Sequence, residues 1–171
     1  MVEIREVKTQ RDLKLFVNFP DKLYKDNPYY VPTLKMDEMN VLRRDKNPAF
    51  TFCEAAYYLA YRDGEIVGSV RYEMITNDVA YLTRFSVDPN VHNSGIGKLL
   101  LAAVNEYAAR QGAKAVALHT ASKMTPLVRM YYGMGYYIKS TSEDRGYIRA
   151  LFLKELTEDD ALPDLSVLAN H

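Results

Sequence analysis

The stretch VDPNVHNSGIGKLL, residues 87–100, constrains the fold more than any other part of the chain. A strand-like run passes through a polar turn into an apolar helix, with Gly95 and Gly97 at the junction. Each glycine within a helix costs about 1 kcal/mol against alanine, so the pair needs a reason. Beyond the turn, Ile96, Leu99, Leu100, Ala103, Val104 and Tyr107 recur at helical spacing, and Gly112 stands where a helix stop belongs. AKAVALHT then reads as a short apolar strand. Strand, helix and strand in that order imply a parallel pair joined by a right-handed crossover.

The flanking sequence surrounds this unit with antiparallel signals. VEIREV alternates Val2 and Ile4 with charged neighbours, a half-buried strand. Thr9-Gln10-Arg11-Asp12 reads as a helix start with Leu13, Phe16 and Val17 on one face, and Pro20 is expected to interrupt it. The following stretch to Pro48 reads as one helix or two, broken by Pro28 and Pro32, with residues 34–44 its only well-patterned piece. From Phe52, two strands join at Asp63-Gly64, and Asn77-Asp78 turns the chain into VAYLTRFSV. A helix around Pro126–Tyr132 precedes two more strands, YYIKS and GYIRALFLKEL. The prediction is an α/β fold: a mixed, mostly antiparallel sheet with a central parallel strand pair, flanked by helices.

At 171 residues the chain is expected to form one domain, residues 1–156, followed by an acidic tail, 157–171, solvated or loosely docked. Lys plus Arg equals Asp plus Glu at 22 each, which argues against a nucleic-acid partner. Cys53 alone cannot form an internal disulfide and reads as a small buried residue at a strand start. No apolar run approaches the roughly 18 residues of a membrane span, and MVEIREVKTQ carries no signal-peptide core. A cytoplasmic protein without a membrane partner is the expectation. His92, His119 and His171 are too scattered to suggest a metal site.

A helix N-terminus leaves its first amides without partners and carries about half a positive charge. A glycine there removes the Cβ and lets a bulky anion approach several N–H groups at once. Two readings of Gly95 and Gly97 follow: a diphosphate cradle to which Lys98 adds a cation, or a tight turn in which Asn93 or Ser94 caps the helix. The P-loop pattern fails, because His92 and Leu99 occupy its glycine and Ser/Thr positions. The dinucleotide fingerprint fails as well, with Leu100 at its third glycine and no acid in residues 114–120.

The segment TRFSVDPNVHNSGIGKLLLAAVNEYAARQGAKAVAL resembles the acetyl-CoA-binding core of the GNAT (Gcn5-related N-acetyltransferase) superfamily. MYYGMGYY is similar to the same family's Tyr-x-x-x-Gly-Phe segment, with Tyr131, Gly135 and Tyr136 in the three places. The resemblance covers residues 52–155 well and the N-terminal part loosely. It implies that Phe85, Ser86 and Val87 pair through their backbones with the pantetheine arm. It also implies that His92, Asn93, Ser94, Gly95, Ile96, Gly97 and Lys98 hold the pyrophosphate. His92 departs from the family's Arg or Gln, Thr83 stands where many members carry a catalytic Glu, and Met124 takes a place often held by Asn.

The resemblance implies an N-acetyltransferase that moves acetyl from acetyl-CoA to a primary amine by direct attack in a ternary complex. The acceptor is a small molecule or a protein amino group, and the enzyme a monomer or homodimer. A free amide, assigned to Val87, would serve the oxyanion, a donor worth about 2.7–4 kcal/mol. Tyr131 is the candidate general acid, since a phenol near pKa 10 can donate to a thiolate whose conjugate acid is near 8.5. His119 is the candidate base and shares a strand face with Ala115 and Ala117. A satisfied core histidine is the alternative, with Tyr81 or water in the role. Asp37 and Glu38 are candidates for attracting a cationic amine. The competing function is a non-catalytic acyl-CoA sensor, suggested by Thr83 in the carboxylate's place.

Overall fold

The computed structural model describes residues 1–31, 34–51, 54–91, 94–157 and 163–171. Its elements are β1 (Val2–Glu6), α1 (Gln10–Tyr24), α2 (Lys35–Leu42), β2 (Glu54–Arg62), β3 (Glu65–Met74), β4 (Val79–Val87), α3 (Ile96–Arg110), β5 (Ala115–Ala121), α4 (Thr125–Gly133), β6 (Tyr137–Asp144) and β7 (Tyr147–Glu155). The strands form one sheet in the order β1-β2-β3-β4-β5-β7-β6. β4 and β5 run parallel, with Val79 opposite Ala115 and Tyr81 opposite Ala117, while β5 with β7 and β6 with β7 are antiparallel. The mixed sheet with its parallel pair at the centre is the architecture the sequence predicts.

Contacts divide the chain into two compact units: Met1–Arg71 with Arg84–Leu100, and Tyr72–Thr83 with Leu101–His171. In the first, Leu13, Phe16 and Val17 of α1 pack with Leu42 of α2 and with Ala55, Tyr57 and Leu59 of β2. The Tyr57 hydroxyl donates to the Leu42 carbonyl at 3.0 Å, so the buried phenol keeps its hydrogen bond. Thr9 caps α1, its Oγ1 accepting from the Asp12 amide at 3.1 Å.

Pro20 does not end α1, contrary to the sequence expectation, and the helix continues through it to Tyr24. An interior proline costs about 3 kcal/mol. Leu13, Phe16, Val17 and Phe19 are all buried, and each such side chain contributes about 1.5–3 kcal/mol, so tertiary burial outweighs the local penalty. The carbonyl of Phe16 loses its ordinary i+4 donor as a result.

Gly68 of β3 sets the seat of α3. A Cβ there would lie 2.8 Å from Leu100 Cδ1, 3.2 Å from Ile96 Cγ2 and 3.2 Å from the Ser86 carbonyl oxygen. Only a residue without a side chain allows this helix start to approach the strands so closely.

The second unit has its own core of Val79, Tyr81, Ala115, Ala117, Leu151, Leu153 and Leu168. Leu168 belongs to the acidic C-terminal stretch and is only 2% exposed. Arg149 donates to the His171 carbonyl at 2.5 Å. Residues 163–171 therefore dock rather than remain solvated, because Leu168 and its partly buried neighbours Leu165 and Val167 bring apolar surface that the run of acids obscures. Among the described residues no helix is long and apolar enough to cross a membrane.

Candidate functional site

β4 ends in a compact turn. The Asp88 amide donates to the Val67 carbonyl at 2.8 Å, and the Asp88 carboxylate accepts from the Asn90 amide at 2.9 Å. The chain then reaches Gly95, which sits at φ +82°, a conformation few other residues adopt. A Cβ at Gly95 would find nothing within 4 Å. Ile96 is buried at 1% exposure and anchors α3, while Gly95 and Lys98 on either side are exposed. The first helical bond runs from the Leu99 amide to the Gly95 carbonyl at 3.0 Å. Among the described residues the amides of Gly95, Ile96, Gly97 and Lys98 have no acceptor. Ser94 does not cap them, since its hydroxyl turns back to the Val91 carbonyl. His92 and Asn93, both expected in this cradle, lie outside the described residues, as does Cys53.

The strand leading into the turn is irregular. Arg84 lies within β4 at φ +52°, a left-handed conformation that costs a non-glycine residue about 1–2 kcal/mol. Phe85, Ser86 and Val87 follow it, each half-buried. The Arg84 guanidinium pairs with Glu38 of α2, whose side chain is only 14% exposed. Burial lowers the pKa of Arg84 from the usual guanidinium range. Beside this pair opens a cavity of about 100 Å³, walled by Phe16, Val17 and Pro20 and by Ser69 and Ser86. Of the two acids singled out from sequence, Glu38 reaches the cavity. Arg84 was not singled out, although a lone cation within VAYLTRFSV was a visible signal.

In the second unit, Tyr131 occupies the last turn of α4. The Tyr136 amide donates to the Tyr131 carbonyl at 3.0 Å and the Gly135 amide to the Tyr132 carbonyl at 3.1 Å, with Gly135 at φ +89°. This pair of bonds is a Schellman stop, and its apolar contact is the Tyr131–Tyr136 ring pair, with centroids 5.9 Å apart. The Tyr-x-x-x-Gly-Tyr spacing is thus the signature of a helix ending that clamps Tyr131. Phe152 closes the other side at 5.3 Å. Tyr131 is 3% exposed, and burial pushes its pKa up to about 12. Among the described residues its hydroxyl has no hydrogen-bond partner. By contrast, the Tyr136 hydroxyl donates to Asn105 Oδ1 at 2.6 Å.

His119 and Tyr81, weighed separately from sequence, meet in one pair. The Tyr81 oxygen lies 2.6 Å from His119 Nδ1. Burial raises the Tyr81 pKa, so the phenol keeps its proton, and which of the two atoms donates in this contact follows the ring tautomer. Burial, then Arg149 and His171, lower His119 to about 4, so the imidazole is neutral throughout the physiological range. The His171 ring packs edge-on against Tyr81 at 5.1 Å. Thr83, at the family's carboxylate position, buries an Oγ1 that has no hydrogen-bond partner among the described residues. Met124 is the residue before α4, half-exposed and without a capping side-chain bond. Among the described residues no three His, Cys, Asp or Glu side chains gather so as to hold a metal ion.

The model of the acetyltransferase (GNAT) family matches residues 19–136. No curated protein matches the chain by sequence. Among solved structures, an acetyltransferase of the GNAT family from Streptococcus pneumoniae superposes with a TM-score of 0.73 at 19% identity, covering 91% of this chain and 99% of that one. The yncA structure from Salmonella typhimurium, which contains its cofactor acetyl-CoA, gives 0.72 at 13% identity, over 96% and 98%. The ribosomal-protein-S18-alanine N-acetyltransferase from Escherichia coli gives 0.70 at 13% identity, over 96% and 100%.

Proposed function

Because this chain belongs to the acetyltransferase (GNAT) family, we propose that it transfers acetyl from acetyl-CoA to a primary amine by direct attack in a ternary complex. The observation that carries this reading is the turn at Gly95: consecutive amides from Gly95 to Lys98 without acceptors among the described residues, beside open space and an exposed lysine. That arrangement suits the pyrophosphate of coenzyme A, with each charge-assisted bond worth about 1.5–3 kcal/mol. Phe85, Ser86 and Val87 hold the pantetheine arm in this reading, and the Val87 amide serves the oxyanion.

The amine nitrogen attacks the thioester carbonyl carbon, the carbonyl becomes an oxyanion, and the carbon–sulfur bond then breaks. The nitrogen gives up a proton, and the sulfur leaves as a thiolate that is protonated from solvent once released. Tyr131 is protonated at every physiological pH, the state an acid requires. At about 12 its full proton transfer to a thiolate is uphill, so its contribution is a hydrogen bond that strengthens as charge reaches the sulfur. His119, at about 4, is too weak a base for a free ammonium. It acts with Tyr81 on the far more acidic nitrogen of the tetrahedral adduct, with Nδ1 receiving the phenol proton as the phenol oxygen takes the amine's.

A second reading, an acyl-CoA sensor without turnover, is favoured by Thr83 in place of a carboxylate and by the weakness of His119 as a base. Calorimetry and thiol release separate the two. Saturable acetyl-CoA binding is expected, together with thiol release across an amine panel. Tyr131→Phe is expected to lower kcat by about 10²-fold or more with the acetyl-CoA Kd unchanged. Binding without turnover supports the sensor, and no saturable binding at hundreds of micromolar removes both.

A further inference from the structure

The cavity beside Arg84 and Glu38 has features that amine acetylation alone does not require. A simple amine needs at most one acid, yet this wall holds an acid and a guanidinium in contact. The contact joins one guanidinium nitrogen, Nη1, to one carboxylate oxygen, Oε1. Arginine has five N–H donors in a planar fork suited to a carboxylate, and among the described residues most of that fork is left for another partner. The residue is also held at φ +52°, and strain of this kind collects where a side chain must be aimed at a ligand.

The remaining walls define what fits. Phe16, Val17 and Pro20 give the cavity an apolar wall opposite the polar Ser69 and Ser86, so only a short aliphatic group fits beside the charges. At about 100 Å³ the space holds roughly three waters, so the recognised group is small. Ser86 also lines it, one residue before Val87, so the cavity opens beside the strand assigned to the thioester arm.

Resting on the acetyl-transfer reading, we infer that the acceptor is a small free α-amino acid, its carboxylate seated on Arg84 and its amine held by Glu38. The zero net charge of the pair matches a zwitterion. A lysine side chain or a protein N-terminus offers the amine alone and leaves the guanidinium unmatched. A carboxylate without an amine leaves Glu38 facing its charge.

Matched ligands test this without a variant. Alanine and alaninamide share the amine and differ in the carboxylate. Their binding to the full chain with saturating coenzyme A is read by NMR titration, and their acetylation by thiol release. Alanine is expected to bind and react about tenfold better or more, the discrimination of one charge-assisted bond. Arg84→Gln is expected to bring the alanine-to-alaninamide ratio to within about twofold of one, whatever it does to the absolute rates. Equal binding of alanine and alaninamide by the wild-type protein overturns the inference. Acetyl-CoA binding with equal use of both leaves acetyl transfer standing and removes only the amino acid. Absence of acetyl-CoA binding removes the acetyl-transfer reading, and the NMR titration repeated without coenzyme A then decides the cavity, with no shift on adding alanine counting against it.

Discussion

Gly95 and Gly135 share a left-handed backbone, at φ +82° and +89°, and do opposite things with it. Gly95 opens a helix. Its surroundings are empty within 4 Å of an added Cβ, and the amides that follow lack acceptors among the described residues. Gly135 closes a helix. Its amide and the next are both consumed by the Schellman bonds, and Lys154 Nζ lies 3.2 Å from where a Cβ would be. That lysine donates to the Met134 carbonyl at 2.6 Å, which satisfies another helix-end carbonyl. Around one glycine the chain leaves open space and amides without acceptors among the described residues, and around the other it satisfies itself. The proposed cradle rests on that difference, where sequence alone reports two similar residues.

The comparison breaks most visibly on coenzyme A. Gly95→Val should weaken acetyl-CoA binding by about a hundredfold by calorimetry, the equivalent of one or two charge-assisted bonds. Its stability loss should not exceed the about 1–2 kcal/mol that a left-handed backbone imposes. Equal losses in affinity and stability would make Gly95 a second Gly135. For Gly135→Ala the pattern should invert: about 1–2 kcal/mol lost in urea denaturation, from the same backbone cost and the displaced lysine, with acetyl-CoA affinity unchanged. A change in affinity there would show that the closed stop also serves the ligand.

The smallest effect concerns protons in the closed unit. His119 falls from about 6.5 unfolded to about 4 folded, so the unfolded chain binds more protons between those values. Stability should therefore fall as pH drops from 6.5 toward 4 and be independent of this group above that window. The slope should be modest because the ring is only half-buried. His119→Gln should flatten that part of the urea-midpoint profile. Superimposable profiles would mean that the ring is not held neutral.

Several features were legible because they are local demands. Asp63-Gly64 specified a hairpin, and both residues take positive φ. Gly112 marked the stop of α3 and does take positive φ, and the 3.6-residue period located that helix. Pro20 misled for the same reason in reverse: its penalty is local, but the burial that outweighs it comes from β2 and α2, which the residues around it do not encode. The long-range pairs were harder still. Arg84 and Glu38 are 46 residues apart, and Tyr81 and His119 are 38 apart. No periodicity selects one acid among 22, or one tyrosine among 14, as a partner.

The sequence by itself determined where the backbone must turn, which faces are apolar and where a glycine is obligatory, because those depend on a residue and its near neighbours. Tertiary structure alone decided which charges meet, which hydroxyls lose water and how far His119 and Tyr131 shift from their ordinary pKa values. Burial and pairing are properties of the space between segments, and that space exists only once the sheet and helices have closed around it.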